Sequence, residues 1–295
     1  MEFNNETIRI SVQLYVKNEK EGEEKYGHIN TWNVSNVTDM SYMFLEAHSF
    51  NQPLSNWNVS NVTNMTSMFC DARSFNRPLD NWDVSNVTNM KCMFCSARSF
   101  NRPLNNWDVS NVTNMARVFN HAKSFNRPLN EWDVSNVENM YGVFCNAISF
   151  NQPLNKWDVS NVTNMYGVFN HAKSFNQHLN EWRVSNVTNM SWMFYGASSF
   201  NQPLNNWNVS NVTHIFDMFN STGRIGEMLK KHNLTNENYF DKKVYHKLFV
   251  WPRKKDYVTF LVNNQYLPLN KHQEEHEYHP LFDNTDISKY IACYL

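Results

Sequence analysis

The chain has 295 residues and a formal net charge of -1, from 26 Lys and Arg against 27 Asp and Glu, with 41% hydrophobic and 15% aromatic residues. That balance gives no whole-chain electrostatic footprint for nucleic acid or an anionic membrane, the aromatic content demands a large core, and no apolar run is long enough to span a bilayer. With only 7 glycines and abundant Asn, asparagine is expected to supply many of the left-handed turn positions.

The first residues, MEFNNETIRISVQLYVKNEKEGEEKYG, lack a basic stretch followed by a continuous apolar one, so no secretory signal is expected and a cytoplasmic or virion location is the default. Over Glu6 to Val16, the residues Ile8, Val12 and Tyr15 fall at helical spacing and predict an amphipathic helix that covers whatever follows.

From Trp32 onward one unit recurs. Trp32, Trp57, Trp82, Trp107, Trp132, Trp157, Trp182 and Trp207 are each 25 residues apart, which defines eight coils without insertion. In the fourth coil the apolar set is Leu104, Trp107, Val109, Val112, Met115, Val118, Phe119, Ala122 and Phe125. Asn106 to Val109 alternates with the period of a strand, whereas from Val112 the steps become three or four, the period of a helical or 3-10 arc. A return loop with Asn126, Arg127 and Pro128 follows. A single 25-residue coil cannot bury both faces of its apolar set, so coils must stack, at roughly 4.8 Å per coil or about 40 Å for eight if their strands form a sheet. The expected fold class is therefore an α/β solenoid: eight 25-residue coils with a parallel β-sheet. Ser110, Asn111, Thr113 and Asn101 are columns whose side chains would bond along the stack and to turn backbone.

The motif LxxWDVSNVTNMxxMFxxAxxFNxP resembles the BspA-type leucine-rich repeat, in the tryptophan- and asparagine-rich form found in bacterial surface proteins and in large DNA viruses and their protist hosts. The resemblance covers Tyr26 to about Leu229. It implies a leucine-rich-repeat-like solenoid and a binding or adhesion role without catalysis. Bacterial members are exported, and the lack of a signal peptide here favours an intracellular or viral protein over an adhesin.

The expected organisation is a helical cap over residues 1–31, the eight coils over 32–223, and a C-terminal cap or small α+β docking domain over 224–295. Ile225 and Leu229 still fill the Phe and Leu columns, but His232 falls where tryptophan should be. Beyond it, Phe240, Val244 and Leu248 suggest a helix, DYVTFLVNNQYLPL a hairpin around Asn263 and Asn264, and Ile287, Tyr290 and Ile291 a last helix.

Function is sought where the columns vary. Between Trp and Val stand Asn33, Asn58, Asp83, Asp108, Asp133, Asp158, Arg183 and Asn208. The four aspartates could form an acidic strip for a basic partner or cations, or Asn and Asp interchange because only the acceptor oxygen matters. On the return-loop edge, Arg73, Arg77, Arg98, Arg102, Lys123 and Arg127 cluster in three successive coils, where later coils have Ile148, Gln152, Gln177, Ser198 and Gln202. These basic residues are the first candidates for a partner contact, because the arginine fork suits carboxylates and phosphates.

No Gly-rich phosphate loop, GxSxG or HExxH is present, so no enzyme and no cofactor is expected. HQEEHEYH, with His272, His276, His279, Glu274 and Glu275, is the nearest approach to a metal site. His121 and His171 share a column two coils apart and read as surface residues. Cys70, Cys95 and Cys145 also share a column, with Cys92 and Cys293 elsewhere; Cys70 and Cys95 would be neighbours, but free thiols are expected. The threonine column, broken at Glu138, raises a crystal-binding face, though one threonine per coil beside variable neighbours supports it weakly. The expected function is a non-catalytic protein–protein interaction scaffold along the strand face or loop edge; the alternative is a surface adhesin or virion component.

Overall fold

The computed structural model describes residues 2–240. The tail beyond lies outside the described residues, and with it fall the helix through Val244 and Leu248, the hairpin, the last helix, Cys293 and the HQEEHEYH cluster.

Helix α1, Asn5–Lys17, begins at a capping box: the Asn4 side chain accepts from the amides of Glu6 (3.0 Å) and Thr7 (2.9 Å), and Thr7 Oγ1 accepts from the Asn4 amide. Its buried face carries Ile8, Val12 and Tyr15, the residues that predicted it. Tyr15 meets Trp32 edge-on at 5.7 Å, and the Asn5 side chain bonds Thr38, so α1 lies over the first coil. Helix α2, Glu19–Tyr26, doubles back on α1, with Gly22 so close that a Cβ there would stand 2.7 Å from Tyr15 Cα. A 3-10 turn, Ile29–Thr31, leads into Trp32.

The expected parallel β-sheet is not formed: among the described residues there is no strand, and the coils are joined instead by isolated parallel bridges, one per step, from Asp39↔Asn64 to Asn189↔His214. The expected strand segment fails for a local reason. Its alternation at Trp107 and Val109 is enclosed by two tight turns, closed by Trp107 N–H to Leu104 O (3.1 Å) and Val112 N–H to Val109 O (2.9 Å), which leave no length for a ladder. The expected helical arc is not helical either. The amides of Met115, Arg117, Phe119 and His121 donate to Asn139, Tyr141, Val143 and Cys145 in the next coil at 2.7–3.1 Å. The amides of Val118, Asn120 and Ala122, each following one of these donors, close turns onto Met115, Arg117 and Phe119. Coil-to-coil backbone bonding therefore runs through a train of turns.

That train requires two left-handed residues per coil, such as Arg117 (φ 59°) and His121 (φ 57°). Asparagine does not supply them as the composition suggested. Gly142, Gly167, Gly196 and Asn146 fill four of these positions, and others carry side chains as large as Tyr42 and Trp192. Each non-glycine residue there costs about 1–2 kcal/mol of backbone strain, offset in the first seven coils by the inter-coil bond its own amide makes. The asparagines serve as side-chain ligands to the backbone. Asn101 Oδ1 accepts the Asn126 amide (3.0 Å), Asn111 Nδ2 donates to Ser85 O (2.7 Å), and both contacts recur down the stack.

The core is the inward apolar set, with Leu104, Val112, Met115, Phe119, Ala122 and Phe125 fully buried and Trp107 at 3%. Phe44, Phe69, Phe94, Phe119, Phe144, Phe169, Phe194 and Phe219 form a continuous pile with centroids 5.3–5.9 Å apart. A second pile runs from Phe50 to Phe200. Each neighbouring ring pair contributes about 0.5–1.5 kcal/mol beyond its burial. At the far end Ile225 and Leu229 are buried in helix α3, Gly223–Lys231, and Tyr239 of helix α4, Asn236–Phe240, packs on Phe219 at 4.8 Å.

Candidate functional site

The basic edge has a shared internal geometry. Arg77, Arg102 and Arg127 each donate Nε to a main-chain carbonyl one coil back, on Asn51, Asn76 and Asn101, at 2.7–2.9 Å. Gln177 and Gln202 make the same bond through Nε2 to Asn151 O and Asn176 O, at 3.0 and 3.2 Å. Both residue types latch the return loop; only arginine adds a charge. Arg73 forms a two-bond pair with Asp71, at 2.9 and 2.8 Å, which holds the Asp71 carboxyl below its ordinary value. Arg98 and Lys123 are exposed and make no side-chain hydrogen bond or ion pair among the described residues.

The acidic column has a turn-forming role. Asp83, Asp108, Asp133 and Asp158 each accept the amide of the serine two residues on, at 3.0–3.1 Å, as Asn33, Asn58 and Asn208 do. The Ser110 hydroxyl and amide lower the pKa of Asp108, and those of Ser160 do the same for Asp158. Arg183, in the same column one coil on, pairs with Asp158 at 2.8 Å.

Beside these columns Asn111, Thr113, Asn136, Glu138, Asn161 and Thr163 line a shallow polar depression. The hydroxyl of Thr113 donates back one coil to Thr88 O at 3.5 Å, and Thr188 Oγ1 to Thr163 O at 3.2 Å. Cys70, Cys92, Cys95 and Cys145 are free thiols. The Cys95 thiol is pushed up to about 11 by its hydrogen bond with Cys70, whose own pKa that bond lowers, and Cys92 is raised by its bond with Cys95. No group of three or more His, Cys, Asp or Glu among the described residues is placed to hold a metal ion.

Sequence reasoning missed a surface pile in the later coils. The Arg117 guanidinium lies 4.8 Å above the Tyr141 ring, Tyr141 stacks on Tyr166 at 4.9 Å, and Trp192 leans on Tyr166 at 5.7 Å. The signal was present in the columns 9 and 10 places after tryptophan, which pass from Ser41 and Thr66 to Tyr141, Tyr166 and Phe216.

Fold and site together define a repeat protein whose recurring geometry is internal and whose variation from coil to coil lies in a few surface columns. The family described as "Mycoplasma protein of unknown function, DUF285" matches twice, over residues 13–132 and 115–232, and the chain belongs to that family. A search of curated proteins gave no match, and a search of solved structures gave none. No helix among the described residues is long and apolar enough to cross a membrane.

Proposed function

We propose that this protein is a non-catalytic scaffold that meets a protein partner along the return-loop edge bearing Arg73, Arg77, Arg98, Arg102, Lys123 and Arg127. One observation carries the reading: arginine at 77, 102 and 127 makes the latch that glutamine makes at 177 and 202, so the positive charge is surplus to the fold. Three such forks at one-coil spacing suit an acidic protein surface. A stiff array loses little entropy when several weak contacts form together. The BspA-type resemblance of the motif accords with a binding role. Asp83, Asp108, Asp133 and Asp158 are a weaker second strip, because each already has the turn role that asparagine fills elsewhere.

The test is crosslinking mass spectrometry in native extract with wild type and two triple variants at Arg77, Arg102 and Arg127, one all Gln and one all Glu. Gln preserves the latch and removes the charge. A recurrent partner lost from both variants supports the scaffold; an unchanged crosslink pattern in both sinks it.

A further inference from the structure

The stack has a direction, and its first coil lacks a neighbour on the donating side. In each of the seven later coils, the carbonyls equivalent to Met43 and Leu45 accept amides from the coil before. The pairs run from Phe44 N–H to Met68 O and Glu46 N–H to Cys70 O, both 2.8 Å, through to Phe194 N–H to Met218 O (3.0 Å) and Gly196 N–H to Asn220 O (2.9 Å). In the first coil α1 replaces part of this supply. The Arg9 guanidinium donates to Ser41 O and to Asp39 O, standing in for two missing amides, and pairs with the Asp39 carboxylate at 3.2 Å. Met43 O and Leu45 O receive no hydrogen bond from any described residue. Both residues line a groove of about 380 Å³ between α1 and the first coil, with Gln13, Val16, Lys17 and Tyr42 around them.

We propose that this groove binds an extended polypeptide segment of another protein, which takes the place of a coil before the first. Two of its amides, two residues apart, would donate to Met43 O and Leu45 O, as Phe44 and Glu46 donate to the second coil. An extended chain offers alternate amides along one edge, whereas a helix has spent all but its first few. Apolar side chains of the segment would cover Tyr42 and Leu45, exposed at 54% and 42% and unusual as large apolar groups left open on this stack. Lys17, exposed and without an ion pair among the described residues, favours a carboxylate on the segment. The far end of a second copy is a poorer occupant. In its last coil the amide of Phe219, the counterpart of Phe44, is already spent on Asn236 Oδ1 at 3.1 Å. This site is separate from the arginine edge and needs none of its residues.

The test selects displayed random decapeptides on the full chain and measures the synthetic winners by fluorescence anisotropy. Leu45→Glu should weaken them about tenfold or more. Gln13→Trp, which fills the groove from the helix side, should do the same, and serves alone if Leu45→Glu does not fold. N-methylation at two amides two residues apart should abolish binding, methylation of the amide between them should not, and the Arg77, Arg102, Arg127 to Gln variant should bind as wild type. Failure to select any peptide, or winners indifferent to the folded groove variants or to N-methylation, overturns the proposal and leaves the arginine-edge reading untouched.

Discussion

The indole N–H of Trp107 donates to the main-chain carbonyl of Leu79, 2.9 Å away and 28 residues earlier in the chain. The bond recurs from Trp57 to Ile29 through Trp207 to Leu179, so the tryptophan column is a series of buried rivets as well as an apolar filling. Trp107→Phe keeps most of the ring contact and leaves the buried Leu79 carbonyl with the Trp82 amide alone (3.1 Å), with an expected loss of about 0.5–1.5 kcal/mol. Trp107→Ala adds a cavity and should cost about 3–5 kcal/mol. Urea unfolding measures both, and a Phe variant as stable as wild type would show the bond to be dispensable.

The left-handed positions invite stabilisation. Ser96 holds φ 56°, and Ser96→Gly should stabilise by about 1 kcal/mol through relief of that strain. Gly196→Ala should go the other way by more, because its φ is 67° and an added Cβ would meet the His171 imidazole. Thermal melts that shifted in the same direction for both variants would contradict the backbone assignment.

The loop latch separates charge from structure. Arg102→Gln should leave stability within about 0.5 kcal/mol of wild type, whereas Arg102→Ala, which frees the Asn76 carbonyl, should cost about 1 kcal/mol. Equal melting points for the Gln and Ala variants would mean that the Nε bond holds nothing.

Asp108 and Asp158 have depressed pKa values, first because of the Ser110 and Ser160 hydroxyls, then through the serine amides. A depressed carboxylate binds its proton less readily folded than unfolded. Its contribution is therefore present above the unfolded value, about pH 3.9, and fades as pH falls through the lower folded one. Asp108→Asn should be nearly neutral at pH 7, since Asn58 makes the same turn, and should flatten the stability loss measured between about pH 5 and pH 2. A double variant, Asp108→Asn with Asp158→Asn, that kept the wild-type acid profile would refute this.

The inward set was legible because burial is a one-dimensional property: every residue from Leu104 to Phe125 that the spacing turned inward is buried. Backbone form was less so. A step of three between Val112, Met115 and Val118 fits a helix and equally a chain of turns, and the difference rests on φ at Arg117, a residue with no preference for the left-handed region. Nor could two alternating residues, Trp107 and Val109, reveal that turns on either side would prevent a ladder. The arginine edge was visible as a change of residue type down a column, but its equivalence to glutamine required the Nε bond to Asn76. The open carbonyls of Met43 and Leu45 carry no sequence signal, because they are defined by a neighbour the first coil does not have.

The flow of amides from Met115, Arg117, Phe119 and His121 into the coil that follows, with Thr113 and Ser124 donating back to Thr88 and Arg98 in the coil before, makes each joint a copy of the next. Excision of any interior 25 residues rejoins the same donors to the same acceptors, and duplication inserts a floor without disturbing the roof or foundation. Height is thus a quantity that unequal recombination can adjust in whole steps while the fold is preserved. The spacing between any two surface features becomes a heritable dial, set in units of one storey.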